Sequence, residues 1–276
     1  MDIRFVKQED IDKQLYNSCV HFATNGSVYG YDWFLNATAK DWDILVEVSN
    51  DSWVSVMPLP YKKDWLGRKQ LRQPDLVPEL AVYSVNALSQ KRIQAFWNAV
   101  PKEFKGGELT VEPASVPAKP GRFRVTAATG TALVLDQSYE EIIGDFSPAY
   151  HEGIIRAEEA GLRPLPSFKP EKLSAFWLET KGKTTTNDWR FHAMQRLMYQ
   201  VLHRSWGGTH AVAGADGNPL AMTFVVYSHG RIFPMFTAES KAGKSVGALT
   251  YLWDNLLKTH AGKALKVRKE AVGAEV

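Results

Sequence analysis

The feature that most constrains this chain is a change of hydrophobic period near residue 209. Before it, Phe191, Met194, Leu197, Met198, Val201 and Leu202 recur at helical spacing over 188–206. After it come three strand-like runs, Thr209–Ala215, Leu220–Tyr227 and Arg231–Thr237, split by Asp216-Gly217-Asn218-Pro219 and Ser228-His229-Gly230. Turns that short can only join antiparallel neighbours. A loop containing Gly243-Lys244-Ser245 then enters a helix with Leu249, Leu252, Trp253 and Leu256 on one face.

The residues upstream complete a domain. Thr131–Leu135 reads as an apolar strand, and Ser138-Tyr139-Glu140-Glu141 as a capping box opening a helix that buries Tyr139, Ile142, Ile143 and Phe146. Ser147-Pro148 restarts a helix faced by Tyr150, Ile154 and Ala157 and closed by Gly161, and a further helix covers roughly 170–180. The order strand, helices, antiparallel meander, loop, helix describes an α/β (α+β) domain.

The first half is built from the same kinds of pieces. Ile11, Leu15, Cys19 and Phe22 suit one helix face, and Trp33-Phe34-Leu35 a short second helix. Ile44–Val48 and Trp53–Met57 form strands about the Asn50-Asp51-Ser52 turn, and Leu80–Ser84 another. Ser89 opens a helix with Ile93, Phe96, Trp97 and Val100 inward. Three prolines and a glycine in 112–121 mark a loop, so the expected domains are 1–125 and 130–276.

Several function classes lose support. The formal net charge of +3 is too small and too dispersed for a nucleic-acid groove. A single cysteine, Cys19, excludes an intramolecular disulfide and a multi-cysteine zinc site, and its helical spacing makes it a small core residue. The histidines are scattered; His192 and His203 share a helix face but lie about three turns apart, too far to chelate one ion. No metal is expected. No signal peptide and no apolar run of about 18 residues occurs, so the reading is cytoplasmic, with no membrane partner.

Gly243-Lys244-Ser245 ends the phosphate-loop pattern, but Ala238 stands where its first glycine belongs. Gly182-Lys183-Thr184 fails likewise at Trp177, and neither G-x-G-x-x-G nor G-x-S-x-G occurs. What remains is a glycine-bearing helix entry, Glu239 to Gly247. It suits a pyrophosphate or another anion through free amides and the helix dipole, and suits an ordinary helix entry with an exposed lysine equally well. On the helix from Ser147, Tyr150 or Arg156 could face a substrate; the alternative is a solvated face with helix-spaced charge pairs.

Ala132-Leu133-Val134-Leu135-Asp136, Ser138 to Ile142 and Ile154 to Leu162 resemble the opening of the second domain in tandem GNAT-like proteins related to the Fem-type peptidyltransferases. Gly243 to Ala248 resembles that superfamily's acyl-donor loop. Tyr31 to Leu35, Trp42-Asp43 and Val56 to Pro60 resemble the group's first domain. The resemblance implies two GNAT-like domains, each a mixed, mainly antiparallel sheet flanked by helices, the second shortened at its C-terminus because only Lys263 to Val276 follow the last helix. It implies transfer of an acyl or aminoacyl group to an amine, with no permanently bound cofactor. Acyl-CoA is the co-substrate, or a charged tRNA the donor. Phe236, Thr237 and Ala238 then line the donor channel, Gly243, Lys244, Ser245 and Gly247 hold its phosphates, and Glu239 is the candidate base. The rival is a non-catalytic binding or scaffold protein that kept the fold. A homo-oligomer is compatible with either.

Overall fold

The computed structural model describes residues 1–181 and 189–273; Gly182-Lys183-Thr184 and residue 188 lie outside them. The chain divides into two compact units, Met1–Thr129 and Gly130–Val276. No helix among the described residues is long and apolar enough to cross a membrane.

The first unit holds strands β1 (Asp2–Val6), β2 (Asp41–Ser49), β3 (Ser52–Lys63), β4 (Lys69–Arg72), β5 (Tyr83–Ser84), β6 (Phe104–Val111) and β7 (Arg124–Ala127). Its helices are α1 (Lys13–Phe22), α2 (Asp32–Thr38) and α3 (Gln90–Ala99). The sheet order is β1-β2-β3-β4-β6-β7, with β5 pairing to β3. Asn50 and Asp51 both sit at positive φ, the backbone that matches a two-residue hairpin turn to the twist of β2 and β3. Ser89 caps α3 by accepting from the Arg92 amide, and Ile93, Phe96 and Trp97 are buried.

Two expectations shift. Helix α1 starts after the Asp12 cap and buries Tyr16, Cys19 and Val20, leaving Leu15 and Phe22 exposed. Tyr16 wins the interior place because its hydroxyl donates to Gly30 O at 2.6 Å, satisfying the only polar atom of a large ring. The Leu80–Ser84 strand is reduced to β5 and a single bridge from Leu80 to Val111.

The sheet interior also carries charge. Lys69 Nζ lies 2.6 Å from Asp43 Oδ2 and 2.7 Å from Glu103 Oε1, among the rings of Phe5, Tyr61 and Phe104. Buried Glu47 accepts from Ser55 Oγ and pairs with Arg92 at 3.3 Å. Each carboxylate is compensated, as burial of a charge demands.

The second unit holds strands β8 (Ala132–Val134), β9 (Arg163–Leu165), β10 (Gly207–Ala213), β11 (Pro219–Ser228), β12 (Arg231–Glu239) and β13 (Lys266–Arg268). Its helices are α4 (Tyr139–Gly144), α5 (Pro148–Glu159), α6 (Pro170–Thr180), α7 (Trp189–His203), α8 (Lys241–Ser245), α9 (Ala248–His260) and α10 (Lys269–Val272). The expected meander is present, and the sheet order is β8-β13-β12-β11-β10-β9. The capping box at Ser138 and Glu141 forms with both reciprocal hydrogen bonds. Val212, Ala221, Val225 and Ile232 share one core with Leu252, Trp253 and Leu256 of α9. By strand alternation Met222, Phe224 and Val226 point the other way, and α6 and α7 pack against these strands as well.

Candidate functional site

Strand β12 is the centre of the candidate site. It pairs along its length with β11, but with parallel β13 only at Arg231 and Ile232. From Pro234 to Glu239 its other edge has no ladder partner among the described residues. Phe224 pairs with Phe236 and Val225 with Pro234, so Met235 is an extra residue that kinks the strand just where the open edge begins. Pro234 is tolerated there because an edge strand can spare an amide.

Phe236, Thr237 and Ala238, the expected donor-channel residues, turn their side chains to the faces of the sheet and not to this edge. Phe236 and Ala238 are buried, and Thr237 Oγ1 meets Thr223 Oγ1 at 2.8 Å. What the edge can offer a ligand is backbone.

The segment after β12 is not an open loop. Ser240 Oγ accepts from the Gly243 amide at 2.9 Å and Ser240 O from the Lys244 amide at 3.0 Å, which winds 241–245 into the short helix α8. Gly247 then adopts a left-handed φ of 71° and caps α9. The two glycines serve close backbone packing. A Cβ on Gly243 would stand 2.4 Å from Leu220 O, and one on Gly247 2.4 Å from Gly153 O of α5. Lys241, Lys244 and Ser245 are the exposed polar side chains of the segment.

Glu239 Oε1 accepts from the Leu249 amide at 2.9 Å, so this carboxylate caps α9 and fills part of its anion-attracting end. Burial raises the Glu239 pKa above the ordinary glutamate value, against the pull of that amide and of Lys244. At its far end α9 is held by His260, whose Nε2 lies 2.9 Å from the Tyr227 hydroxyl with the rings stacked. Burial lowers the pKa of His260 and of His210. By register, Glu239, Thr237, Thr223, His210 and Tyr227 share one sheet face. The helix α9 therefore lies over a row of polar side chains that the sequence reading did not assemble; the alternating Thr223, Val225, Tyr227 pattern was its only signal.

The two candidate substrate contacts on α5 lie in different surroundings. Tyr150 is buried, packed edge-on against Phe146, with its hydroxyl turned towards Asp254. Its place in the helix's apolar stripe sends the ring into the core, which corrects the substrate-facing reading. Arg156 is half exposed and lies 3.9 Å from Glu152 one turn earlier, an arrangement of a solvated face. Asp254, fully buried on α9, receives the Tyr139 hydroxyl. Lys258 Nζ lies 2.8 Å from its second oxygen, an ion-pair contact whose angles fall short of a hydrogen bond.

Among solved structures the chain is similar to FemX, with 9% identity, a TM-score of 0.58, and 97% of this chain and 88% of that one covered. The chain has the fold of FemX. The expected fold class, two α/β units each with a mixed, mainly antiparallel sheet flanked by helices, is present. A tandem GNAT protein from the clavulanic acid biosynthesis pathway, solved without AcCoA, gives a TM-score of 0.46 at 13% identity over 99% of this chain and 94% of the other. A conserved protein of unknown function from Bacteroides thetaiotaomicron gives 0.47 at 9% over 97% and 90%. No family model and no curated protein matches the chain.

Proposed function

We propose that the second unit transfers an acyl or aminoacyl group to an amine, with acyl-CoA or a charged tRNA as donor. The observation that carries this reading is the two-residue ladder between β12 and β13, which among the described residues leaves the edge from Pro234 to Glu239 without a ladder partner beside the entry of α9. An extended donor can add to that edge as a strand adds to a sheet, with Phe236, Thr237 and Ala238 supplying main-chain groups. Lys244 and Ser245, joined by Lys241, stand exposed where the donor's phosphates would leave the edge; Gly243 and Gly247 shape that corner from beneath. In the reaction the amine attacks the acyl carbonyl, the bond to sulfur or ester oxygen breaks, the amine gives up a proton, and the departing thiolate or tRNA alkoxide takes one up, so that an amide and a free thiol or hydroxyl result. Glu239, with its raised pKa, is the base this corner offers. Positioning supplies most of the acceleration in chemistry of this type.

The amides already taken at α8 and α9 favour the second reading, a binding protein with the same fold. A thermal-shift series with acetyl-CoA, longer acyl-CoAs and free CoA separates them. A ligand at 100 times its Kd adds about 2.7 kcal/mol, or roughly 5–10 °C in Tm at this domain size. Lys244→Ala should reduce that shift while leaving the unliganded Tm unchanged, since the side chain is exposed. No shift with any of these donors or with an aminoacyl-tRNA leaves the binding-protein reading standing.

A further inference from the structure

The hairpin joining β3 to β4 carries the most exposed large hydrophobic side chain among the described residues: Trp65 is 88% exposed, and its neighbour Leu66 is 53% exposed. This tip is held rigid. Asp64 Oδ1 accepts from the amides of Leu66 and Arg68, each at 2.9 Å, and Asp64 Oδ2 from Arg68 Nε at 2.8 Å. Gly67 closes the turn at a φ of 74°, with its amide on Asp64 O. A Trp-Leu pair is thus presented to solvent by a turn organised to hold it out.

Beside the tip runs an open groove of about 530 Å³ that begins at Asp64 and is lined from β3, β4, β6 and β7. It carries Lys62, Lys63, Arg72, Arg122 and Arg124 against Asp64 and Glu108. That is a surplus of three cations in one groove, with the Arg122 guanidinium already donating to the carbonyls of Phe104, Val100 and Pro101. Glu108 is shared by Arg72 at 3.6 Å and Arg124 at 3.9 Å, and Lys62 and Lys63 have no ion pair among the described residues.

We propose that this hairpin docks the protein on an anionic lipid surface, with Trp65 and Leu66 in the headgroup–acyl boundary and the basic groove over lipid phosphates. Tryptophan favours that boundary because its ring is apolar and its N–H is polar, and flanking cations add electrostatic attraction to anionic headgroups. A nucleic acid fits less well. Its bases need aromatic rings along the track of the backbone, and the groove lining contains none; Leu66 gives a base nothing to stack on. The expectation of no membrane partner rested on the lack of a spanning segment, which a surface-lying contact does not need.

The test is co-sedimentation of the full chain with vesicles of phosphatidylcholine alone and of phosphatidylcholine mixed with phosphatidylglycerol. The wild type should pellet with the mixed vesicles, far less with the neutral ones, and less as salt rises. At about 1 kcal/mol per cation near the surface, Lys62→Ala with Lys63→Ala should lower the partition by about thirtyfold. Trp65→Ser with Leu66→Ser should lower it tenfold or more, and remove the blue shift of tryptophan emission seen on adding vesicles. All four side chains are exposed, so equal melting temperatures certify that each variant folds. The proposal is overturned if the wild type ignores mixed vesicles at low salt, or if the Trp65/Leu66 variant binds as well as the wild type. It is equally overturned if a single-stranded RNA oligomer outcompetes the vesicles for the same residues.

Discussion

Replacing Gly247 by alanine tests whether the corner beneath the proposed donor site is built by backbone packing or kept open for a ligand. Two costs follow from the structure. Gly247 sits at a φ of 71°, where a side-chain-bearing residue loses about 1–2 kcal/mol. The new Cβ would also stand 2.4 Å from Gly153 O, 3.0 Å from Gly153 C and 3.1 Å from its Cα. Those atoms belong to α5 and cannot rotate away, so α5 and α9 must separate, an overpacking cost of about 1–3 kcal/mol. Together these give about 2–5 kcal/mol, a large share of the 5–15 kcal/mol that usually holds a domain together, and a fall in Tm of about 4–20 °C. Gly153→Ala is the control. The atoms nearest its Cβ would be those of the Thr250 side chain, at 3.3–3.4 Å and none of them backbone, and alanine in a helix recovers up to about 1 kcal/mol over glycine. Its Tm should stay within a few degrees of wild type. Urea and thermal melts of both variants decide the matter. A Gly247→Ala protein as stable as wild type, or a Gly153→Ala protein equally damaged, would refute the close-packing account and return Gly247 to the list of ligand-contacting positions.

Glu239→Gln addresses the pH dependence of the same corner. Because the folded-state pKa of Glu239 is raised, the native state holds its proton more tightly than the unfolded chain. The stability from this group is full below the ordinary glutamate range and is lost as pH rises through the folded value. The stability of wild type relative to Glu239→Gln should therefore fall as pH rises through the acid range; parallel curves, or the opposite trend, contradict it. In the first unit, Lys69→Met strips the partner from Asp43, whose side chain is almost wholly buried, and should cost about 3–5 kcal/mol in chemical denaturation. Adding Asp43→Leu should recover most of that loss, and a single-variant cost under about 1 kcal/mol would show the cage to be inessential.

The meander was legible because its strands are long, alternate cleanly and meet in short turns. Strands β9 and β13 were not, since three-residue segments such as Arg163-Pro164-Leu165 take their structure from the neighbours they pair with. Strand β6 hides behind Gly106-Gly107, which reads as a break although the ladder to β4 continues through it. In α1, hydropathy ranks Leu15 and Phe22 above Tyr16, yet only Tyr16 has a hydroxyl that Gly30 O can receive. Gly243 and Gly247 show a deeper ambiguity. A missing Cβ admits a ligand's phosphate or another strand's carbonyl equally well, and only coordinates show that Leu220 O and Gly153 O hold those places.

The position of the open edge follows from chain geometry. Strand β12 runs about 27 Å from Arg231 to Glu239, and α9, about 20 Å long, carries the chain back before β13 begins. Returning by that path, β13 can rejoin β12 only at its start, and the ladder at Arg231 and Ile232 is where it does so. The unpaired part of β12 is therefore its carboxyl end, beside the entry of α9, the place where parallel α/β connections leave a crevice for ligands. The same geometry puts Glu239 at the junction of strand and helix, with its carboxylate on the Leu249 amide. An anionic donor arriving at Lys244 must share this corner with that carboxylate. Like charges at such range favour protonating one of them, so a bound pyrophosphate would raise the Glu239 pKa further than burial already does. Donor binding and proton uptake would then be coupled, and Glu239 can act as the base only above its raised pKa in the donor complex: binding should tighten as pH falls through that pKa while turnover falls with it, and Glu239→Gln should bind the donor at high pH as the wild type does at low pH.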